Sequence, residues 1–153
     1  MRIPTILIAG LAAFRRDNDF ELALANHTLI PRRDDPTFDD VLPETGGVEL
    51  KGRTIAVRLH LFASAGGWDA GNRTLRFRWQ KRAFHLIGWD NWLMNRGSGE
   101  ITEVSVNFNT GEVVEGEGSM EDDEFKTTER QIPKRPLVTI DEVGDGMMFE
   151  PKL

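Results

Sequence analysis

The chain has 153 residues, no cysteine and a formal net charge of −6 at neutral pH. The absence of cysteine excludes a disulfide framework, a cysteine-based zinc site and a thiol nucleophile. The acidic balance argues against a nucleic-acid partner. At about 150 residues per domain, the length predicts one domain over residues 1–153. No apolar run reaches the about 20 residues that a membrane-spanning helix needs.

The N-terminal segment has two interpretations. Residues 5–14 are apolar, residues 15–19 are polar, and residues 20–25 alternate again, which predicts a strand in a hairpin with the next strand. The alternative is a short signal peptide, because one basic residue, Arg2, precedes an apolar run over residues 3–14. Pro4 and Gly10 interrupt that run and no good cleavage site follows, so we favour the hairpin.

Two acidic stretches, residues 31–47 and 116–124, are predicted to be loops. The second ends in four consecutive acidic residues. A calcium loop needs spaced ligands that converge, so this run is interpreted as a solvated loop and not as a calcium site. Residues 42–46, LPETG, match the pentapeptide that sortases cleave. Over a hundred residues with strand patterns follow, so we treat the match as coincidence.

Strand patterns occupy the middle of the chain. Residues 54–62, 73–81 and 102–109 alternate apolar and polar side chains, and residues 84–90 are apolar on both faces. Turn residues separate these segments at regular spacing, which predicts an all-β antiparallel sandwich or barrel-like sheet of about 7–10 strands. Only residues 139–143 are predicted to form a helical turn. The predicted core comprises Ile55, Val57, Leu59, Leu75, Phe77, Trp79, Phe84, Leu86, Val104, Val106 and Phe108.

The opposite face of these strands is predicted to be polar. It is either a solvated surface or a ligand surface. The second interpretation rests on Trp68, Trp89 and Trp92, which lie in or beside the turns at its ends, because tryptophan and arginine are typical of binding hot spots. The three histidines lie on separate strands, and no metal site or cofactor motif is predicted. The polar residues of this face are Arg58, His60, Arg76, Arg78, Gln80, Glu103, Ser105 and Asn107.

One hairpin concentrates the candidate site residues. We expect Arg96 and Glu100 to lock the turn between them through a charge-assisted hydrogen bond. The alternative is that the polar groups converge on a ligand. No catalytic residue is assigned, although Asp90 with Glu100 is considered as an acid/base pair. The candidate binding residues are Arg96, Glu100, Ser105, Asn107, Trp89, Trp92, Asp90 and Trp68.

Several short motifs resemble a group of uncharacterised exported bacterial proteins. They are FRWQ at 77–80, FHLIGWD at 84–90, RGSGE at 96–100, SVNFNTG at 105–111 and IDEVGDG at 140–146, with LALANHTLIPR at 22–32 upstream. The resemblance implies a periplasmic or extracellular location but no known activity. Members of the group begin with a signal peptide and an acidic segment, so the resemblance also implies a shortened start. Without a convincing signal peptide here, a cytoplasmic location is the alternative.

Two functional hypotheses follow. The first is a non-enzymatic domain that binds a protein or glycan at the bacterial envelope, an inhibitor or immunity protein being one form. The second is a carboxylate-dependent hydrolase acting on envelope glycans. A concave pocket with two ionisable groups within about 10 Å of each other would favour the enzyme, and a flat sheet face would favour binding.

Overall fold

A computed structural model describes residues 4–8, 11–32, 36–44, 46–65, 67–122 and 124–153. In this part of the chain ten strands and one short helix are present, which confirms the all-β prediction. The elements are β1 (Pro4–Ile8), β2 (Leu11–Arg16), β3 (Asp19–Ala25), β4 (Val48–Lys51), β5 (Thr54–Leu61), β6 (Asp69–Gln80), β7 (Ala83–Asn95), β8 (Glu100–Asn107), β9 (Glu112–Ser119), β10 (Lys126–Gln131) and α1 (Ile140–Val143).

The strands form two antiparallel sheets. The large sheet has seven strands in the order β10-β9-β8-β7-β6-β5-β4, and the small sheet has the order β1-β2-β3. The large sheet is open, with β10 and β4 as its edges, so it is not barrel-like. The small sheet packs on one face of the large one, where the Phe14 and Trp79 ring centroids lie 4.8 Å apart.

The core lies between the large sheet and the elements that cover this inner face. Period-2 alternation sends Ile55, Val57 and Leu59 inward from β5, and Leu75 and Phe77 inward from β6; all are buried. The intervening Arg76 and Arg78 are exposed, so the predicted buried face is confirmed. Trp79, Val104 and Phe108 are only partly buried and pack against the core.

The N-terminal prediction is right in its pairing and wrong in its continuity. β2 pairs with β3 as an antiparallel hairpin, with Ala12 opposite Leu24 and both side chains buried. The predicted single strand over residues 5–14 is instead two strands, β1 and β2, which pair with each other. The apolar run is therefore folded back on itself, which an apolar pattern alone does not reveal.

The first acidic stretch, residues 31–47, contains no strand or helix in its described part. It follows the free edge of β5 beyond the end of β4, since the His60 amide donates to the Val41 carbonyl at 2.7 Å and the Arg58 amide to the Gly47 carbonyl at 2.6 Å. Residues 33–35 and 45 lie outside the described residues.

The second acidic stretch is shorter than predicted. Residues 116–119 belong to β9 and not to a loop. Their two glycines sit beneath the Phe125 ring: a Cβ atom added at Gly116 or at Gly118 would lie 2.4 Å from a ring carbon. The glycines are therefore needed for packing within a strand. The loop comprises residues 120–125, of which residue 123 lies outside the described part.

The short helix confirms the predicted helical turn. Glu142 in its first turn accepts hydrogen bonds from the Thr139 backbone amide at 2.6 Å and from the Thr139 hydroxyl at 2.8 Å. These bonds lower the pKa of Glu142 below its ordinary value. Ile140 and Val143 are buried and anchor the helix on the inner face.

Candidate functional site

The face of the large sheet opposite the core, here called the outer face, carries most of the predicted polar residues. Arg58, Arg76, Arg78, Ser105 and Asn107 are all exposed on it. Whereas the inner face is covered by the small sheet and α1, this face presents its side chains to solvent. It is the broad, open surface that the sequence analysis associated with binding.

The outer face contains a compact charge network on β6, β7 and β8. Arg76 forms an ion pair with Asp90, and the Ser105 hydroxyl donates a 2.7 Å hydrogen bond to the same carboxylate. The structure therefore brings Asp90 and Ser105 together as neighbours. Asp90 is already compensated by these partners, so its contacts are those of a sheet-stabilising carboxylate.

Next to this network, a row of residues in register across adjacent strands of the outer face combines polar and aromatic side chains. Asn72, Trp92 and Glu103 lie side by side on β6, β7 and β8. His60 lies opposite Asn72, with Nδ1 and the amide oxygen 3.4 Å apart, and its ring stacks on Phe62 at a centroid distance of 6.3 Å. Trp92 is thus half-buried on the outer face in the middle of β7, between an amide and a carboxylate.

The last row of the outer face is apolar. Ala70, Met94 and Ile101 are in register on three adjacent strands, and Ile101 lies opposite Gly118. The Phe125 ring covers Gly118 and completes the row. An apolar row on the solvent side of a sheet is the reverse of normal patterning, because the outer positions of a two-layer fold are usually polar.

This row meets three loops, which we call the loop end: residues 62–65 with 67–68, residues 96–99, and residues 120–122 with 124–125. The loops are hydrogen-bonded to one another, since the Arg96 amide donates to the Trp68 carbonyl at 2.7 Å and the Met120 amide to the Gly99 carbonyl at 2.9 Å. Three large apolar side chains protrude here: Trp68 is 69% exposed, Met120 67% and Phe125 43%.

Arg96 helps to fix the loop end, but not in the predicted way. Its guanidinium lies 4.7 Å from the Phe62 ring centroid and donates to the carbonyls of Ala63 and Gly67. No ion pair joins it to Glu100 in the part of the chain described, so that prediction is wrong. Glu100 instead accepts a 3.0 Å hydrogen bond from the Ser98 hydroxyl.

Asn95 closes the turn in place of the expected ion pair. Its side-chain oxygen accepts from the Gly97 and Ser98 amides at 2.9 and 3.0 Å, and its carbonyl accepts from Gly99, whose φ is 75°. The asparagine side chain thus accepts hydrogen bonds from the turn amides, in place of a backbone carbonyl. The turn needs no charged lock.

Asn107 has the same role in the next hairpin turn. Its side-chain oxygen accepts from the Asn109 and Thr110 amides at 3.0 and 3.3 Å. Its carbonyl accepts from Gly111, whose φ is 81°. The two turns share the pattern Asn-x-x-x-Gly, and in both the asparagine is a turn-forming residue.

Trp89 is not a surface contact. It lies in the middle of β7, is 2% exposed and faces the core, beneath the Arg73 guanidinium at 4.9 Å. A β-bulge causes this placement: Phe77 lies opposite Leu86, yet Arg76 lies opposite Gly88. The extra residue reverses the alternation of β7 and turns Trp89 inward.

Asp90 and Glu100 do not form an acid/base pair. Asp90 lies opposite Ser105 on β7 and β8, five residues from Glu100 along β8. Five residues span about 17 Å of an antiparallel strand, against about 5–9.5 Å for the two carboxyl groups of a glycosidase. Asp90 shares a face with Ser105, its neighbour across the strands. Because Ser105 and Glu100 are an odd number of residues apart on β8, Glu100 lies on the opposite face of the sheet. The geometry therefore gives the hydrolase hypothesis no support at these residues.

Arg73 has a role that the sequence pattern does not predict. It is 5% exposed and donates to the carbonyls of Met147 and Phe149 at 2.5 and 2.8 Å, and to the Glu150 carboxylate at 2.7 Å. Its Nε donates to the Asn91 side chain at 3.0 Å. Arg73 therefore fixes the C-terminal segment to the inner face, an architectural and not a catalytic role.

A cavity of about 1000 Å³ lies between the small sheet, residues 38–42 and the β4 edge. Apolar residues form most of its lining, together with Asn26 and the ionisable residues His27, Arg32, Asp39 and Asp40. The Asn26 side chain is bonded to Asp141 and to the Leu29 amide, and Asp40 accepts from the Leu42 amide. Asn26 and Asp40 therefore serve as loop anchors.

No set of three histidine, cysteine, aspartate or glutamate side chains is placed to hold a metal ion in the part of the molecule that the structure describes. The pKa of Glu115 is lowered because Arg130 donates to its carboxylate, with a closest distance of 3.0 Å. This pair stabilises the β9-β10 hairpin and lies outside the outer-face rows.

No protein-family model, no curated protein and no solved structure matches this chain. The resemblance to exported bacterial proteins therefore stays a prediction. Over the described residues, the single helix is far too short to cross a bilayer.

Proposed function

We propose that the protein is a non-catalytic binding domain whose loop end contacts a protein partner. The observation that carries this proposal is the apolar row of the outer face, which runs from Ala70 to Phe125 and is continued by exposed Trp68 and Met120. Contiguous apolar surface rimmed by polar residues marks interaction sites in soluble proteins.

The chemistry of the loop end favours a protein as the partner. Tryptophan and arginine dominate binding energy at protein interfaces, and both are present in Trp68 and Arg96. Methionine adapts its shape to a partner, which suits Met120. Because hydrogen bonds already join the three loops, little ordering entropy is lost when a partner binds.

The proposal extends to the location of the partner. On the motif resemblance alone, we place the domain and its partner in the bacterial envelope, with an inhibitor or immunity protein as one form of this function. Fractionation of the source cells tests the location. Recovery of the protein in the periplasmic or secreted fraction supports it, and recovery in the cytoplasmic fraction contradicts it.

Matched substitutions test the binding surface. The Met120→Ala/Phe125→Ala variant removes two loop-end side chains, and Met148→Ala/Phe20→Ala removes side chains of the same type and similar exposure, 74% and 48%, from other surfaces. Each protein is immobilised and exposed to envelope extract, and captured proteins are quantified by mass spectrometry. A specific partner should bind the wild type and the control, and at least about tenfold less to the loop-end variant.

Two other outcomes would contradict the protein-binding proposal. Equal losses in both double variants would show general destabilisation. Retained capture by the loop-end variant would place the contact elsewhere. Purified envelope polysaccharide provides the comparison with glycan binding: if it binds and only the loop-end substitutions abolish that binding, the ligand is a glycan that contacts the loop end.

A further inference from the structure

A second, smaller pocket lies on the inner face at the opposite end of the large sheet from the loop end. It has a volume of about 270 Å³ and lies between the sheet, residues 132–138 and the C-terminal segment. We call it the C-terminal pocket. Its walls are mostly apolar and include Leu86, Phe108, Ile132, Leu137, Val138 and Phe149.

The walls of this pocket are fixed before any ligand arrives. The Ile132 amide donates to the Gly111 carbonyl at 2.8 Å, and the Leu86 amide donates to the Val138 carbonyl at 2.9 Å, so segment 132–138 is tied to the sheet at both ends and bows out between them. Pro133 and Pro136 lie within the bow. Proline has no amide hydrogen and a fixed φ, so the bow cannot pair with the sheet and close the space.

The charged residues that line the pocket are Arg135, Lys152 and Glu150. Neither Arg135 nor Lys152 forms an ion pair with a carboxylate in the part of the chain described. The Arg135 guanidinium donates only to the Lys152 carbonyl, at 3.4 Å. The nearby carboxylate of Glu150 is engaged by buried Arg73 at 2.7 Å. An acidic protein therefore leaves two unpaired cations beside an apolar pocket.

We propose that the C-terminal pocket binds a carboxylate attached to an apolar group about the size of one aromatic ring. A cavity of about 150 Å³ is enough for benzene, so the observed volume accommodates a ring and a short chain. The ring occupies the space between Leu137, Val138 and Phe149, and the carboxylate accepts charge-assisted hydrogen bonds from Arg135 and Lys152. Such a group is found in small aromatic acids and at the C-terminus of a polypeptide.

The test is a nuclear magnetic resonance titration of the full ¹⁵N-labelled chain. The probes are 3-phenylpropionate, N-acetyl-L-phenylalanine as a mimic of a peptide C-terminus, and the neutral amide of the latter. We expect saturable shifts at the amides of Gly111, Leu137 and Val138 with a dissociation constant below about 10 mM. The amide should bind at least about tenfold more weakly than its acid, because it lacks the charge. The tighter of the two acids identifies the source of the carboxylate.

Two kinds of variant complete the test. Arg135→Gln/Lys152→Gln should weaken the acids at least about tenfold, whereas Lys81→Gln, an exposed cation in the β6-β7 turn, should leave binding unchanged. Leu137→Trp fills the pocket and should abolish binding of all probes. The proposal is overturned if neither acid gives saturable shifts at these amides, if the amide binds as tightly as its acid, or if the Arg135→Gln/Lys152→Gln variant binds like the wild type.

Discussion

Replacing Arg73 with alanine is expected to lower the free energy of unfolding by about 4–5 kcal/mol. The side chain is 5% exposed and donates to the carbonyls of Met147 and Phe149, to the Asn91 side chain and to the Glu150 carboxylate. The substitution leaves these acceptors without their donor and exposes the Trp89 ring that the guanidinium covers.

The magnitude follows from the separate contacts. The two carbonyls and the Asn91 oxygen each lose a hydrogen bond worth about 1 kcal/mol. We use this low value because the carbonyls of the C-terminal segment can move into water and bind it instead. Loss of the contact with the Trp89 ring adds about 1–2 kcal/mol. Glu150 contributes little, because its side chain is 69% exposed and becomes hydrated when Arg73 is removed.

Urea denaturation of three variants measures this effect. Arg73→Ala should show the full loss, Glu150→Gln at most about 1 kcal/mol, and Arg78→Ala, an exposed arginine of the same strand, a change within about 0.5 kcal/mol. Hydrogen exchange should also become faster at residues 146–150 in Arg73→Ala. The reasoning fails if Arg73→Ala is within about 1 kcal/mol of the wild type, or if Glu150→Gln costs as much as Arg73→Ala.

Three further predictions concern single residues. Asn95→Ala and Asn107→Ala should each destabilise the protein by about 1 kcal/mol in urea denaturation, as loss of a side-chain cap does; unchanged midpoints would show that water replaces the amide. Because the pKa of Glu142 is lower in the folded than in the unfolded protein, its carboxylate stabilises the folded protein at pH values above the unfolded pKa of about 4.3. This contribution disappears as the pH falls through the folded pKa. The melting temperature of the wild type should therefore decrease more between about pH 6 and 3 than that of Glu142→Gln. Trp89→Phe should cost less than about 1.5 kcal/mol, since the indole nitrogen is buried without a hydrogen-bond partner among the described residues. A larger loss of unfolding free energy in urea denaturation would contradict this expectation.

Local alternation predicts the strands well where one face is buried throughout. Every second residue along the alternating stretches of β5 and β6 is apolar, and the structure buries these residues, among them Ile55, Val57, Leu75 and Phe77. The turns are also visible from their glycines. These features depend on neighbours in the sequence, which is why the sequence predicts them.

The errors occur where a distant residue or an irregularity decides the outcome. The bulge in β7 reverses the face of Trp89, and no periodic pattern contains it. Gly116 resembles a loop glycine until the Phe125 ring is placed over it. Arg73 has the same parity as Leu75 and Phe77, which was the available signal that it points inward. Its partners in the C-terminal segment, more than seventy residues later, could not be identified from the sequence.

The connection between Arg73 and Glu150 also has a consequence for synthesis on the ribosome. The two residues are separated by 77 positions. At about 5–20 residues per second, β6 is made about 4–15 s before the carboxylate that its arginine binds. During that interval the inner face of the sheet has neither its helix nor its C-terminal segment to cover it. The nascent chain therefore lacks every contact that the helix and the C-terminal segment make with the inner face, and the apolar surface left uncovered is open to a chaperone.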